Sequence, residues 1–191
     1  MIEPVPDGTV ACLAGRRIDA EDADPVRFPV QSEAEVRASL SRVFAAESVR
    51  HLVCSAACGA DIIALEACEA YDIPVTIVLP FAAAAFRRVS VTDRAGDWGS
   101  RFDRMVARAH AGDQLIELDL SPDDPDAFER ANEEIVSSAA GFPSKEHLAV
   151  IVWDGEKKGE TDITGHVRDL AKARGFRVLE IPTLSRGSSS G

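Results

Sequence analysis

The segment from His51 to Phe81 constrains the fold more than any other part of the chain. It reads HLVCSAACGADIIALEACEAYDIPVTIVLPF, and its first apolar run stops at Ser55, where a series of small residues begins. Asp61 then opens a stretch whose apolar positions recur at helical spacing, and a second apolar run ends at Pro80. This order predicts a strand, a tight turn, a helix and a second strand, which is the βαβ unit of a parallel sheet.

The rest of the chain repeats this alternation of apolar runs and helical patterns. Because the runs are apolar nearly throughout, the strands are expected to be covered on both faces. The sequence therefore predicts an α/β, Rossmann-like three-layer fold with a mainly parallel sheet of about six strands. The expected strands are Val10–Ala14, His51–Cys54, Pro74–Leu79, Gln114–Leu118, Leu148–Trp153 and Arg177–Ile181, and the expected helices are Ser32–Ala46, a helix opened by Asp61, Trp98–Ala109, Asp126–Ala139 and Thr161–Arg174.

Two of the expected helices carry signals for their ends. Ser32 is followed three residues later by Glu35, which is the pattern of a capping box. Gly175 follows the last helical pattern and suits the left-handed conformation that ends many helices. We therefore expect the Ser32 side chain to cap its helix and Gly175 to end the last one.

The composition is typical of one globular domain. A length of 191 residues and a hydrophobic fraction of 46% are enough for one well-packed core. The domain is expected over residues 8–183, and the Gly- and Ser-rich residues 184–191 are expected to form a flexible tail. Such a tail is typical of a module that is joined to an effector domain in a longer protein.

The charge excludes some classes of partner. A net charge of −11 disfavours nucleic acid, because binding to its backbone needs a surplus of Lys and Arg. No apolar run reaches the ~20 residues of a membrane helix, and the acidic N-terminus lacks the features of a signal peptide. We therefore expect a cytoplasmic protein without a membrane partner.

The cysteines are expected to be reduced and buried in that compartment. Cys54 and Cys58 have no matching cluster of His or Cys elsewhere in the sequence, so no metal site is predicted. The four cysteines are Cys12, Cys54, Cys58 and Cys68.

The small-residue turn 55–61 is the first candidate binding site. A helix N-terminus that is reached through such a turn offers free N–H groups to a phosphate. Ser55 and the amides of Ala56 and Ala57 would bind the phosphate. Gly59 would let the backbone come close, and Asp61 would bind a ribose hydroxyl. The alternative is a tight turn that only permits helix–sheet packing, with Asp61 as an N-cap.

The loop after the expected strand Leu148–Trp153 is the second candidate. Asp154, Gly155 and Gly159 are its candidate site residues before a Thr161–Asp162 pair at a helix start, which makes a second terminus suited to an anion. The alternative is an ordinary turn at Asp154 and Gly155 with an ordinary N-cap at Thr161.

Arginines follow the carboxyl ends of two expected strands, where open α/β sheets place their ligands. Arg16, beside Gly15 at the end of the first strand, is expected to contact the ligand. Guanidinium groups suit phosphate, and the two long loops 15–31 and 82–97 hold further arginines, among them Arg17, Arg27 and Arg94. By contrast, the row Arg101, Arg104 and Arg108 is expected to form a solvated helix face balanced by carboxylates.

Most catalytic motifs are missing from the sequence. It has no Gly-x-Ser-x-Gly, Walker A, His-Glu-x-x-His or Gly-x-Gly-x-x-Gly pattern. Glu66 is the weak candidate for an acid or base, with a salt bridge or solvent exposure as the alternative.

Six short motifs, taken in order and at their spacing, resemble the SLOG superfamily of Rossmann-like domains. That superfamily includes the LOG-type phosphoribohydrolases, DprA and the ligand-sensing domains of bacterial signalling and defence proteins. The resemblance covers about residues 8–183. The motifs are Arg27-Phe28-Pro29, Gly59-Ala60-Asp61, Leu79-Pro80-Phe81, Ser90-Val91, Trp98-x-x-Arg101-Phe102 and Trp153-Asp154-Gly155.

The resemblance implies a three-part nucleotide site. Its first loop would hold Ser55, Gly59 and Asp61, its second Gly155, Gly159, Thr161 and Asp162, and Gly15 and Arg16 would add a contact from the first strand. Pro80 and Phe81 belong to the same implied site. LOG-type enzymes carry Pro-Gly-Gly-x-Gly-Thr with a catalytic Glu soon after, whereas this chain has Thr164 at the corresponding Glu position.

The sequence thus leaves three hypotheses for function. The first is a signalling or defence module that senses a nucleotide or a nucleotide-derived small molecule. The second is a nucleoside 5′-monophosphate phosphoribohydrolase that uses Glu66. The third is an oligomerisation or docking domain without a ligand, and a homodimer is left open in each case.

Overall fold

A computed structural model of the chain describes residues 7–159 and 162–184. Within them, strands and helices alternate along the chain. The strands are β1 (Thr9–Gly15), β2 (Val49–Cys54), β3 (Val75–Leu79), β4 (Leu115–Glu117), β5 (Glu146–Trp153) and β6 (Arg177–Pro182). The helices are α1 (Glu33–Ala46), α2 (Ala60–Ala70), α3 (Ala83–Ser90), α4 (Trp98–Ala111), α5 (Ala127–Gly141) and α6 (Ile163–Ala173), and a 3₁₀ turn covers Val30–Ser32.

The strands form one sheet in the order β4-β3-β2-β1-β5-β6, and every neighbouring pair is parallel. The chain begins in the centre, moves outward to β4 and returns to the other side of β1 with β5. The order therefore reverses between β1 and β5. In open parallel sheets this reversal opens a crevice at the carboxyl ends of the strands.

Helices cover both faces of the sheet, which explains why the strands are apolar nearly throughout. Leu13 faces the layer formed by α1, α2 and α4, whereas Cys12 faces α5 and α6. Both side chains are fully or almost fully buried. The structure confirms the predicted Rossmann-like three-layer α/β fold, and the expected elements agree with the observed ones to within two residues at each end.

One helix, α3, lies in the segment 82–97 that was expected to be a loop. Alanines fill the four positions before Phe86, and alanine has the highest intrinsic helix propensity. The helix has only 8 residues, which is too short for a clear periodic pattern, and it buries Phe86 and Ser90. This helix packs Phe86 against Phe81, which follows the end of β3.

The two expected helix-end signals have different outcomes. Gly175 has φ +81° directly after the C-cap of α6, which confirms the prediction. The capping box is wrong, because Ser32 has helical dihedral angles and its side chain makes no capping hydrogen bond. The 3₁₀ turn leads directly into α1, so Ser32 lacks the extended conformation of an N-cap.

The remaining expectations concern the cysteines, membranes and the tail. All four cysteines are free and buried, as expected. Among the residues that the structure describes, no helix combines the length and the apolar character needed to cross a membrane. The expected flexible tail lies outside the described residues from position 185 onward.

Candidate functional site

A cavity of about 670 Å³ opens at the carboxyl edge of the sheet. It extends from the ends of β1, β2 and β3 to α5 and the beginning of α6. Its volume is in the range of roughly 300–1,000 Å³ that is common for small-molecule sites. The sequence-predicted residues that line it are Gly15, Arg16, Ser55, Ala57, Asp61, Pro80, Phe81 and Asp162.

The other predicted site residues lie elsewhere. Thr161 is outside the described residues. The rest are not among the described residues that line the cavity, namely Ala56, Gly59, Asp154, Gly155 and Gly159. The structure therefore brings the two predicted loops to one edge of the sheet, but only part of each loop reaches the cavity.

The amides of the turn 55–61 are bound to other groups of the protein itself. Three of them donate to acceptors within the chain: Ala57 to Asp61 Oδ2 at 3.1 Å, Cys58 to the Ser90 carbonyl at 3.0 Å, and Ala60 to the Arg16 carbonyl at 3.2 Å. These donors are engaged without a ligand. The turn therefore resembles its packing alternative more closely than an open anion site.

Gly59 is needed for this internal packing. It has φ +112°, and a Cβ at this position would lie 2.6 Å from the Ile18 nitrogen and 2.8 Å from the Arg16 oxygen. The close approach expected for a ligand is thus made by the loop that follows β1. The sequence predicts that something comes close to Gly59, but it does not identify the partner.

Asp61 is a buried carboxyl group in the cavity wall. Burial raises its pKa to about 7, against the lowering effects of the Ala57 N–H and the nearby Arg17. Near neutral pH this carboxyl group is therefore partly protonated. In that state it can donate as well as accept hydrogen bonds.

Arg16 lines the cavity, yet every nitrogen of its guanidinium group already donates a hydrogen bond within the protein. Its Nε lies 2.9 Å from Asp154 Oδ1, its Nη1 lies 2.6 Å from Asp162 Oδ1, and its Nη2 donates to the Glu156 carbonyl. Arg27 also pairs with Asp154. We call Arg16, Arg27, Asp154 and Asp162 the buried cluster. Its contacts fasten the loop after β5 to the end of β1.

Asp162 has two structural roles in this cluster. It caps α6 by accepting the Thr164 N–H at 3.2 Å, and it accepts the Lys158 N–H at 3.1 Å. Burial alone would raise its pKa, but Arg16 and the backbone N–H groups of Lys158 and Gly165 hold the pKa below its usual value. A carboxylate that is ionised and fully bonded in this way has little capacity left for a ribose hydroxyl.

Three further cationic side chains line the cavity: Arg17 and Arg94, which the sequence placed in the two long loops, and Lys158, which the sequence analysis did not name. Arg17 pairs with Asp93 through Nη2, and Arg94 Nη1 lies 2.6 Å from the other oxygen of Asp93. The two guanidinium groups share one carboxylate, so this group keeps a positive charge. We call Arg17, Arg94 and Asp93 the rim cluster.

Lys158 adds a further charge to the cavity lining, close to the buried cluster. No hydrogen bond or ion pair involves its ammonium group among the residues that the structure describes. Burial, Arg16 and Arg27 lower its pKa.

An aromatic wall forms another side of the cavity. The rings of Phe81 and Phe86 lie 6.1 Å apart, and Phe128 packs edge-on to Phe81 at 5.9 Å. Asn132 and Thr164 add polar atoms, although Asn132 Nδ2 already donates to the Ile163 carbonyl at 2.9 Å. Phe128 was missed as a site residue because an apolar position in a helix has the same sequence pattern whether it faces core or cavity, and Phe86 was missed because its segment was expected to be a loop.

Glu66 is not among the described residues that line the cavity. Its carboxylate forms ion pairs with three arginines. The N···O distances are 2.8 Å to Arg101, 2.6 Å to Arg37 and 3.1 Å to Arg104. Burial alone would raise its pKa, but the arginines keep it below its usual value. Glu66 therefore ties α2 to α1 and α4, which is the salt-bridge alternative of the sequence analysis.

The arginine row of α4 is balanced by carboxylates, but it is not uniformly solvated. Arg104 and Arg108 pair with Glu69, and both are exposed. Arg101 is buried, and its guanidinium carbon lies 4.1 Å from the centre of the Trp98 ring.

Comparisons with known proteins do not assign the chain to a family. No protein-family model matches the chain, and a search of curated proteins finds no match. The fold and the site together define a class: a Rossmann-like α/β domain whose carboxyl-edge cavity has an aromatic wall and a cationic rim.

Proposed function

We propose that this chain is a sensor module that binds a nucleotide or a nucleotide-derived small molecule in the carboxyl-edge cavity. The observation that carries the proposal is the pairing of an aromatic wall with a cationic rim around one cavity of about 670 Å³. A nucleotide has a planar base at one end and phosphates at the other, and these two surfaces match its two ends.

Each surface has a chemical role in this proposal. The partly exposed ring of Phe128, packed against the buried rings of Phe81 and Phe86, offers stacking and edge contacts to a base. The guanidinium groups of Arg17 and Arg94 offer charge-assisted hydrogen bonds to phosphate oxygens. Ser55 and Asp61, which also line the cavity, present polar groups suited to a sugar.

The test is a thermal-shift panel of AMP, ATP, ADP-ribose and adenosine, followed by calorimetric titration of each compound that raises the Tm. We expect at least one phosphate-bearing compound to bind, because a ligand of the native state raises its stability. Ser55→Phe places a ring in the cavity and should abolish the shift, whereas Ser137→Phe on the exposed side of α5 should keep it. Absence of binding by all four compounds would contradict the proposal.

A second candidate function is hydrolysis of the N-glycosidic bond, and the position of Asp61 favours it. A carboxyl group with a pKa of about 7 in a cavity wall has the protonation behaviour of a general acid. Chromatography of AMP incubated with the protein measures free adenine directly. Release that Asp61→Asn abolishes and Glu66→Gln retains would make the chain an enzyme that uses Asp61 rather than Glu66.

A further inference from the structure

We infer that the rim cluster is the phosphate-binding element of the cavity, and that Asp93 occupies it as an internal substitute for phosphate until a ligand displaces it. The inference rests on the proposed function, because it names the part of that cavity that receives the anionic end. It also identifies Arg17 and Arg94, rather than Arg16, as the phosphate ligands.

The geometry of Asp93 resembles that of a bound anion. Each of its two carboxylate oxygens is paired with a different guanidinium group, one from Arg17 and one from Arg94. A phosphate can bridge two guanidinium groups in the same way, with more charge and more acceptor oxygens. Asp93 itself is not among the described residues that line the cavity, whereas both arginines are.

Burial distinguishes the rim cluster from the buried cluster. The Arg17, Arg94 and Asp93 side chains are 30%, 24% and 33% exposed, whereas those of Arg16 and Asp162 are 3% and 4% exposed. Partly exposed ion pairs contribute little to stability and exchange readily with other charges. Separating the buried pair would leave a charge without a partner inside the protein. Asp93 can therefore leave its arginines at low cost, and Asp162 cannot.

Arg17 also has an unused donor. Its Nε is buried, and within the described part of the chain it has no hydrogen-bond partner. A buried donor without an acceptor is unfavourable, so a movement of Arg17 that gives its Nε an acceptor on a ligand would be favoured. The position of the Arg94 guanidinium group is fixed by a hydrogen bond, because its Nε donates to the Ile18 carbonyl at 3.1 Å.

The net charge of the rim cluster also favours the binding of phosphate. Two guanidinium groups face one carboxylate, which leaves one positive charge at the cavity while Asp93 is in place. When Asp93 leaves, both arginines are free to neutralise a phosphate that carries up to two negative charges. Binding therefore exchanges a weaker anion for a stronger one.

Calorimetric titration with inorganic pyrophosphate tests this inference without depending on a base. Asp93→Asn removes the competing charge and should bind pyrophosphate up to about fivefold more tightly than the wild type. Arg17→Gln removes one ligand and should bind it roughly tenfold or more weakly. Asp97→Asn, an exposed carboxylate in the same segment, is the matched control and should behave as the wild type.

The outcomes separate this inference from the proposed function. If a nucleotide binds the wild type but neither Asp93→Asn nor Arg17→Gln changes pyrophosphate or nucleotide affinity, the rim cluster is not the phosphate site. If pyrophosphate binding follows the expected order while no nucleotide binds, the rim cluster is confirmed and the nucleotide proposal fails. If pyrophosphate binds no variant, the inference is wrong. Circular dichroism melting of each variant checks that it is folded.

Discussion

Arg16 and Arg17 are neighbours at the end of β1, and both line the same cavity, yet their surroundings are opposite. Arg16 is enclosed and saturated by Asp154, Asp162 and a backbone carbonyl. Arg17 is partly exposed, shares one carboxylate with Arg94 and keeps a buried N–H without a partner among the described residues. The difference teaches that nearness to a cavity does not make an arginine a ligand. The number of carboxylates around it and their burial decide whether it can bind anything else.

The largest expected effect comes from removing each arginine in turn. Arg16→Ala leaves Asp154 and Asp162 buried without their main partner, so the free energy of unfolding should fall by about 3–5 kcal/mol. Arg17→Ala should lower it by less than about 1 kcal/mol, because its ion pair is partly exposed. Urea unfolding followed by circular dichroism measures both values. Equal losses for the two variants would contradict the claim that the buried cluster stabilises the protein more than the rim cluster.

The next effect concerns the pH dependence of stability. It compares two buried carboxyl groups at the beginnings of helices: Asp162, which is paired with an arginine, and Asp61, which is not. Arg16 holds the pKa of Asp162 down, whereas burial raises that of Asp61 to about 7. The native state therefore keeps a proton on Asp61 between about pH 4 and 7 that the unfolded chain releases. The contribution of Asp61 to the free energy of unfolding should therefore fall as the pH rises through this window, by at most about 4 kcal/mol. Asp162 has the opposite sign, and its contribution is lost as the solution becomes acidic.

Asp61→Asn isolates the Asp61 contribution, because the amide oxygen can still accept the Ala57 N–H. We expect the variant to gain stability relative to the wild type as the pH rises from 4 to 8, with little difference at pH 4. Urea unfolding at a series of pH values measures that difference. A constant offset between the two proteins would show that Asp61 is already ionised throughout this range.

The smallest effect tests the backbone that carries both arginines. Gly59→Ala places a Cβ against the backbone of Arg16 and Ile18 and forces an unfavourable φ, so it should lower the free energy of unfolding by about 2–3 kcal/mol. Gly141→Ala, at the exposed end of α5, meets no atom within 4 Å and should be neutral or slightly stabilising. Thermal and urea unfolding measure both. A tolerated Gly59→Ala would mean that the packing of this turn does not set the position of the arginines.

The fold could be predicted from the sequence because apolar runs and helical spacing are local properties. The strand β1 and the turn after β2 were recognisable for this reason, whereas the short helix α3 was not. The site was only partly predictable. Arg16 and Arg17 have nearly the same local sequence, and the carboxylates that saturate Arg16 lie 138 and 146 positions further along the chain. No local pattern shows which arginine meets them.

The same limit applies to the aromatic wall and to Glu66. Phe128 lies on a helix stripe that looks like ordinary core in the sequence, and only the arrangement of α5 turns it toward the cavity. Glu66 lies in the right segment for an acid, but it pairs with arginines from α1 and α4. Tertiary packing, rather than spacing along the chain, decided both outcomes.

Mass spectrometry of the small molecules released when the purified protein is denatured tests the central claim most directly. Our account predicts a phosphate-bearing, nucleotide-like compound that is retained by the wild type and by Ser137→Phe and is missing from Ser55→Phe. A wild-type protein that releases no such compound, and whose Tm does not change with any of the four added compounds, would contradict it.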